Sequence, residues 1–381
     1  MRPNTEDFLV SLSIELSRLY GFARQMNELD FAVSLSGEFR GMQDAGWLTP
    51  ITARQVFEEI KAYEGRSQPY TLPEWRIVLL LYCQLAEAGG VYESLKNILG
   101  IISALPYNSW PFQGLVRTRQ IDDRIIAPNA NATFKDLAQK AKHIGMAKLS
   151  DLLAITFDDE IRNGIAHADY VIWTDGSLRL SKRNGGLPKL LKFEEVADAV
   201  AAGVGFYEIL QLHNSVATRS FNPAKEIVGK LSEFPPMKHT VFADPEKKIF
   251  SIKSSSSGVG TTPEYLRQVE INTRLGGRIL TVFPRSSTQA DESIIREIEA
   301  IGYEPNIVPL DVAAYKRLTS EIDALSLRDD RNKNDNSEGT LLLSPFGYCS
   351  VASMSQFDLV FPNPMIEFEP QEAHEPSAPV E

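Results

Sequence analysis

Apolar residues recur at helical spacing over most of the first 216 residues. That repetition constrains this part of the chain to a largely helical architecture. Phe8, Leu12, Leu16, Leu19 and Ala23 share one face of a segment predicted to be helical from Thr5 to Gln25. Thr5 is its expected cap, and Glu6 and Asp7 complement the positive end of the helix dipole. A second helix is predicted from Thr52 to Tyr63. A third starts at Pro73, carries Trp75, Val78, Leu79, Tyr82, Leu85 and Ala86 on its apolar side, and stops near Gly89-Gly90. Further helices are expected over Tyr92 to Ile102, Phe134 to Ile144, Leu149 to Ala154 and Asp158 to Asp169, the last capped by Asp158 or Thr156.

At Tyr170 the period changes. Tyr170-Val-Ile-Trp173 and Leu178-Arg-Leu-Ser181 flank an Asp175-Gly176 turn and predict a β-hairpin. Lys182 to Pro188 is a basic, Gly-containing loop, and a long helix is predicted from Phe193 to about Val216. Residues 1–216 are thus expected to form a mainly α domain with one small hairpin. Residues 222–362 predict a smaller α+β domain, with paired strands at Thr240 to Phe242 and Ile249 to Ile252 and a further strand at Leu341 to Leu343. The Pro- and Glu-rich stretch 363–381 reads as an acidic disordered tail.

A length of 381 residues suits about two domains. The longest apolar run, Ile77 to Cys83, is far short of a membrane span, and the first residues lack the pattern of a signal peptide. Cys83 and Cys349 stand far apart, which predicts no disulfide framework and a reducing, cytoplasmic setting. The net charge of −11 excludes a general nucleic-acid coating protein but leaves room for a small local basic site.

The stretch Arg162-Asn-Gly-Ile-Ala-His167 carries the chemistry. At about 100° per residue, Asn163 and His167 are one turn apart on one face, while Arg162 lies roughly 140° from His167. One helix therefore does not close Arg162 onto the imidazole. A second copy related by a two-fold axis brings two Arg and two His side chains around one cleft, and Gly164 and Ala166 are small enough to admit a partner backbone or an RNA strand. The residue types suit RNA cleavage. Histidine takes or gives a proton near neutrality, arginine stabilises the phosphorane-like transition state, and asparagine orients the imidazole or a phosphate oxygen. The RNA supplies its own nucleophile, so no metal and no cofactor are expected. By spacing alone, a histidine favoured by the C-terminal helix dipole fits equally.

The segment Glu160-Ile-Arg-Asn-Gly-Ile-Ala-His-Ala-Asp-Tyr170 resembles the motif of the HEPN superfamily: Arg, a polar residue, three more residues, then His. Preceding helices, the hairpin and the final long helix extend the resemblance over about residues 1–216. It implies a HEPN-like helical bundle and a metal-independent endoribonuclease that works as a homodimer through the motif helix. By position, Arg162 would bind the scissile phosphate, Asn163 would position, and His167 would be the acid or base. It also implies a toxin or effector in bacterial toxin–antitoxin or anti-phage systems, with an antitoxin or regulatory protein as partner. In toxins paired with nucleotidyltransferase antitoxins a Tyr lies two residues after the His. Here Asp169 holds that place and Tyr170 follows, which puts control by tyrosine modification in doubt. The alternative within the same resemblance is a non-catalytic nucleotide- or protein-binding module, with the C-terminal part as sensor.

Secondary candidates flank the motif. Lys182, Arg183 and Lys189 are a basic group that would steer RNA, or else a solvated turn. Glu87 on the Trp75 helix is expected either to face the motif and tune His167, with Tyr170 as further support, or to be a surface carboxylate. Gly258-Val-Gly260 lacks the Lys-Ser/Thr pair of a phosphate loop, and His143, His213, His239 and His374 show no metal-ligand spacing.

Overall fold

The structure, a computed structural model, describes residues 4–38, 48–64, 69–103, 105–119, 125–181, 186–229, 237–247, 249–255, 340–344 and 347–351. The chain is mainly helical, with small antiparallel sheets.

Helix α1 spans Thr5–Met26. Its cap is Asn4 and not Thr5: the Glu6 N–H donates to the Asn4 side chain at 3.2 Å, and Thr5 is already helical. Helix α2, Glu28–Leu35, was not expected from periodicity. Seven of its eight residues are buried, so it has almost no polar face to set a period. Helix α3 covers Leu48–Glu64 and α4 covers Leu72–Glu87. Thr71 and Glu74 close a capping box at the start of α4, with the Thr71 N–H donating to Glu74 Oε2 at 2.9 Å. A short 3-10 turn, Gly89–Tyr92, leads into α5, Glu93–Ile102.

Strands β1, Arg117–Thr118, and β2, Ile125–Ile126, form an exposed two-stranded ribbon. Helices α6, Ala130–His143, and α7, Ala147–Ile155, pack against each other across a turn in which Gly145 takes a φ of 89°. Then comes α8, Asp159–Ala166, three residues shorter at its end than expected, with His167 as its C-cap.

Strands β3, Tyr170–Ile172, and β4, Leu178–Leu180, form the expected hairpin. The Gly176 N–H donates to Trp173 O and the Trp173 N–H to Ser177 O, both at 2.9 Å. This three-residue loop needs a left-handed residue at its last position, and Gly176 supplies it with a φ of 79°. The hairpin is one strand larger than expected, because β5, Lys189–Leu191, pairs antiparallel with β4. Helix α9, Phe193–Arg219, completes the helical part.

Beyond it, β6, Lys225–Gly229, β7, Met237–Asp244, and β8, Ile249–Ser255, form an antiparallel sheet in the order β6-β7-β8. The β7–β8 pairing expected around Phe242 and Ser251 is present, and β6 is additional. The sheet meets α2 and α9: Lys225 pairs with Glu28 at 2.7 Å, and the Ala243 N–H donates to Phe221 O at 3.2 Å. Strands β9, Thr340–Ser344, and β10, Gly347–Val351, form a separate antiparallel pair. The strand expected at Leu341 to Leu343 falls within β9; the rest of the expected α+β domain, over 256–339 and 352–362, and the tail lie outside the described residues.

Helix α9 packs on α1 and α4, and α4 also carries α8. Beneath α8, aromatic rings fill the interior. Phe134 lies 4.8 Å from Tyr92, 4.9 Å from Phe157 and 5.4 Å from Phe206, in edge-on contacts. Gly203 of α9 lets this cluster close, since a Cβ there would stand 2.7 Å from Phe157 and 2.8 Å from Tyr82. The Tyr82 hydroxyl accepts the Asp158 N–H at 2.8 Å, so the start of α8 is tied to α4.

Candidate functional site

Helix α8 begins because Asp158 caps it, accepting the Ile161 N–H at 2.9 Å, and because Asp159 and Glu160 complement its N-terminal dipole. It ends after two turns. The Ala168 N–H donates to Ile165 O at 3.2 Å and the Asp169 N–H to Gly164 O at 2.8 Å, a Schellman motif. That motif puts Ala168 in the left-handed region at a φ of 57°, where glycine is the usual occupant.

The residues of the motif face different ways. Arg162 is 5% exposed and points into the domain. Its Nη1 lies 2.9 Å from Glu87 Oε1 and its Nη2 2.9 Å from Asp159 Oδ1. Its buried Nε has no hydrogen-bond partner in the described structure. Asn163 is half-buried, and His167 is exposed at the helix end. Within one chain the structure does not bring Arg162 and His167 together.

Glu87 faces the motif helix, but its partner is Arg162 and not His167. Its second oxygen accepts the N–H of Ala130 at 3.0 Å, so one carboxylate joins α4, α6 and α8. One turn earlier on α4, the Cys83 thiol donates to Arg162 O at 3.7 Å. Burial pushes that thiol up to about 12, with Arg162 acting in the opposite direction, so Cys83 stays protonated at neutral pH. Asp159, which reads from sequence only as a dipole residue, is the second Arg162 partner and also accepts from Asn131 Nδ2 at 2.9 Å. Its signal was the three-residue spacing to Arg162, at which helical side chains meet.

Gly164 is small for an internal reason. A Cβ there would come within 2.5 Å of Leu180 Cδ2, so the glycine admits the molecule's own β4. Lys189 belongs to β5 rather than to a basic loop and pairs with Glu160 of α8; this hydrogen bond holds its ammonium pKa above the usual lysine value. Lys182 and Arg183 lie outside the described residues. Tyr170 is half-buried and packs on the core.

A cleft of about 290 Å³ opens between α6, α7 and α8. Arg162 and Asp159 line one side, and Lys135, Gln139 and Lys142 of α6 line another; Asn163 and His167 are not among its lining residues. This arrangement can present cations to an anionic group on the α6 side while His167 is offered at the end of α8. Among the described residues no group of three or more His, Cys, Asp or Glu side chains is placed to hold a metal ion, and no helix is long and apolar enough to cross a membrane. Comparison of the chain with protein-family models, with curated proteins and with solved structures gives no match.

Proposed function

We propose that α8 is the motif helix of a HEPN-type, metal-independent endoribonuclease whose active site is completed by a second copy of the chain. The observation that supports this reading is the division of labour along α8. His167 is exposed at its C-terminal end, Asn163 is half-buried one turn before it, and Arg162 is anchored from beneath by Glu87 and Asp159.

In the reaction, one His167 removes the 2′-hydroxyl proton of the RNA and the O2′ attacks phosphorus. The bond from phosphorus to the 5′-oxygen breaks, and the His167 of the partner copy protonates that oxygen. The products are a 2′,3′-cyclic phosphate and a 5′-hydroxyl. Arg162 stabilises the charge on the phosphorane oxygens, and Asn163 orients the imidazole or the phosphate. A bacterial toxin or anti-phage effector role, with a regulatory partner, follows from the same reading.

The test is cleavage of RNA by the full-length protein in EDTA, with 2′,3′-cyclic phosphate ends as the readout. His167→Ala and Arg162→Ala are each expected to abolish it. Cleavage that survives both substitutions overturns the reading.

A second reading rests on the Arg162 ion pairs. Two carboxylates meet one guanidinium, which is also what a purely structural arginine in a non-catalytic binding module requires. On that reading the pure dimer has no ribonuclease activity, and Arg162→Ala changes stability alone.

A further inference from the structure

Glu87, which holds Arg162, is the last residue of α4. The opposite end of α4 carries a second concavity, of about 640 Å³, within the usual size of a small-molecule pocket. Four aromatic rings from separate stretches of the chain line it: Tyr63 at the end of α3, Tyr70 before α4, Trp75 in its first turn, and Phe193 at the start of α9. Tyr70 stacks on Trp75 at 5.6 Å and an interplanar angle of 19°. Trp75 lies 5.1 Å from Phe193, and Tyr63 6.5 Å from Tyr70.

The rings are held in place. The indole N–H of Trp75 donates to Gly176 O at 3.3 Å. Gly176 itself is pressed on Phe193, where an added Cβ would stand 2.6 Å from the ring. Tyr63, Tyr70 and Phe193 are only half-buried.

Glu64 and Asp175 line the pocket, and none of its described lining residues is Lys or Arg. Glu64 is paired with Lys61 at 2.9 Å, so the counter-charge falls to Asp175. Asp175 accepts the Ser177 N–H at 2.9 Å and the Ser177 hydroxyl at 2.6 Å, which holds its carboxyl below the usual carboxylate range and keeps it ionised at neutral pH. Aromatic faces carry negative quadrupole potential and attract cations, most strongly methylated ammonium groups that lose little hydration on entering. The Asp175 carboxylate adds attraction for the same charge and repels anions.

We propose that this aromatic pocket binds a methylated ammonium cation, with the half-buried Tyr63, Tyr70 and Phe193 as the cage, Trp75 buried beneath them as its support, and Asp175 as the counter-charge. None of these residues takes part in the proposed ribonuclease chemistry, so each reading can fail without the other.

The experiment is calorimetric titration of the full-length protein with choline, with trimethyllysine amide, and with 3,3-dimethylbutanol, the uncharged isostere of choline. A cation site binds choline or trimethyllysine amide saturably and the neutral isostere about tenfold more weakly or worse. Whichever of the two cations binds tighter identifies a free metabolite or a side chain as the source. Asp175→Asn and Tyr70→Leu, checked for folding by circular dichroism, are each expected to weaken cation binding about threefold to tenfold. Absence of saturable binding of both cations, equal binding of the neutral isostere, or unchanged affinity in both folded variants overturns the proposal.

Discussion

Glu87 of α4 holds Arg162 of α8 at 2.9 Å while its other oxygen takes the first N–H of α6 at 3.0 Å, so the motif arginine is also a structural tie between three helices. Removing it leaves Glu87 and Asp159 facing one another without a cation. Both carboxylates are partly exposed, with side chains 38% and 43% accessible, and so can hydrate. The cost of Arg162→Ala is therefore set at about 2 kcal/mol rather than the larger values of fully buried pairs. His167 is exposed, and His167→Ala is expected to cost under about 1 kcal/mol. Thermal denaturation of the two variants checks this order; a larger loss for His167→Ala contradicts it. Arg162→Ala activity data need this control.

Gly164→Ala sets two effects against each other. An alanine gains about 0.5–1 kcal/mol of helix propensity over glycine. Its Cβ would overlap Leu180 Cδ2 at 2.5 Å, and Leu180 is 4% exposed with little room to turn. Overpacking of this kind costs about 1–3 kcal/mol. The net expectation is destabilisation by about 1 kcal/mol, partly relieved when Leu180→Val is added. Additive losses in that double-mutant cycle would show that the two positions do not meet.

Ala168→Gly is expected to stabilise the protein by about 0.5–1 kcal/mol, because a left-handed φ of 57° strains a residue with a Cβ. Chemical denaturation measures it. A loss of stability would mean that the Ala168 methyl contributes more through contacts than the backbone strain costs.

Asp30 lies in α2 at 3% exposure, and burial pushes its carboxyl from 3.8 up to about 7. An acid whose folded pKa is raised binds more protons folded than unfolded between those two values. Its contribution to stability is present in full below pH 3.8 and is lost as pH rises through about 7. At 1.36 kcal/mol per pKa unit the full swing is on the order of a few kcal/mol. Unfolding free energy should fall with rising pH between about 4 and 7 and level off above that, and Asp30→Asn should flatten the slope. An unchanged slope in the variant assigns the titration elsewhere.

Amphipathic periodicity and capping residues determined most of the helical part by themselves. Leu12, Leu16 and Leu19 marked α1, Pro73 marked the start of α4, and Asp175-Gly176 marked the hairpin, because each of these signals acts over a few residues. Helix α2 escaped because burial on nearly all sides erases the period, and β5 escaped because three residues following a loop carry too little alternation. The sequence also marked Arg162, Asn163 and His167 as a group. Only the tertiary structure decided that Arg162 turns inward to Glu87, that Gly164 makes room for Leu180, and that Tyr63, Tyr70, Trp75 and Phe193 line one pocket. Glu87 and Arg162, and Phe193 and Trp75, are distant along the chain, and whether they meet depends on how α4, α6, α8 and α9 pack, a property that no local spacing encodes.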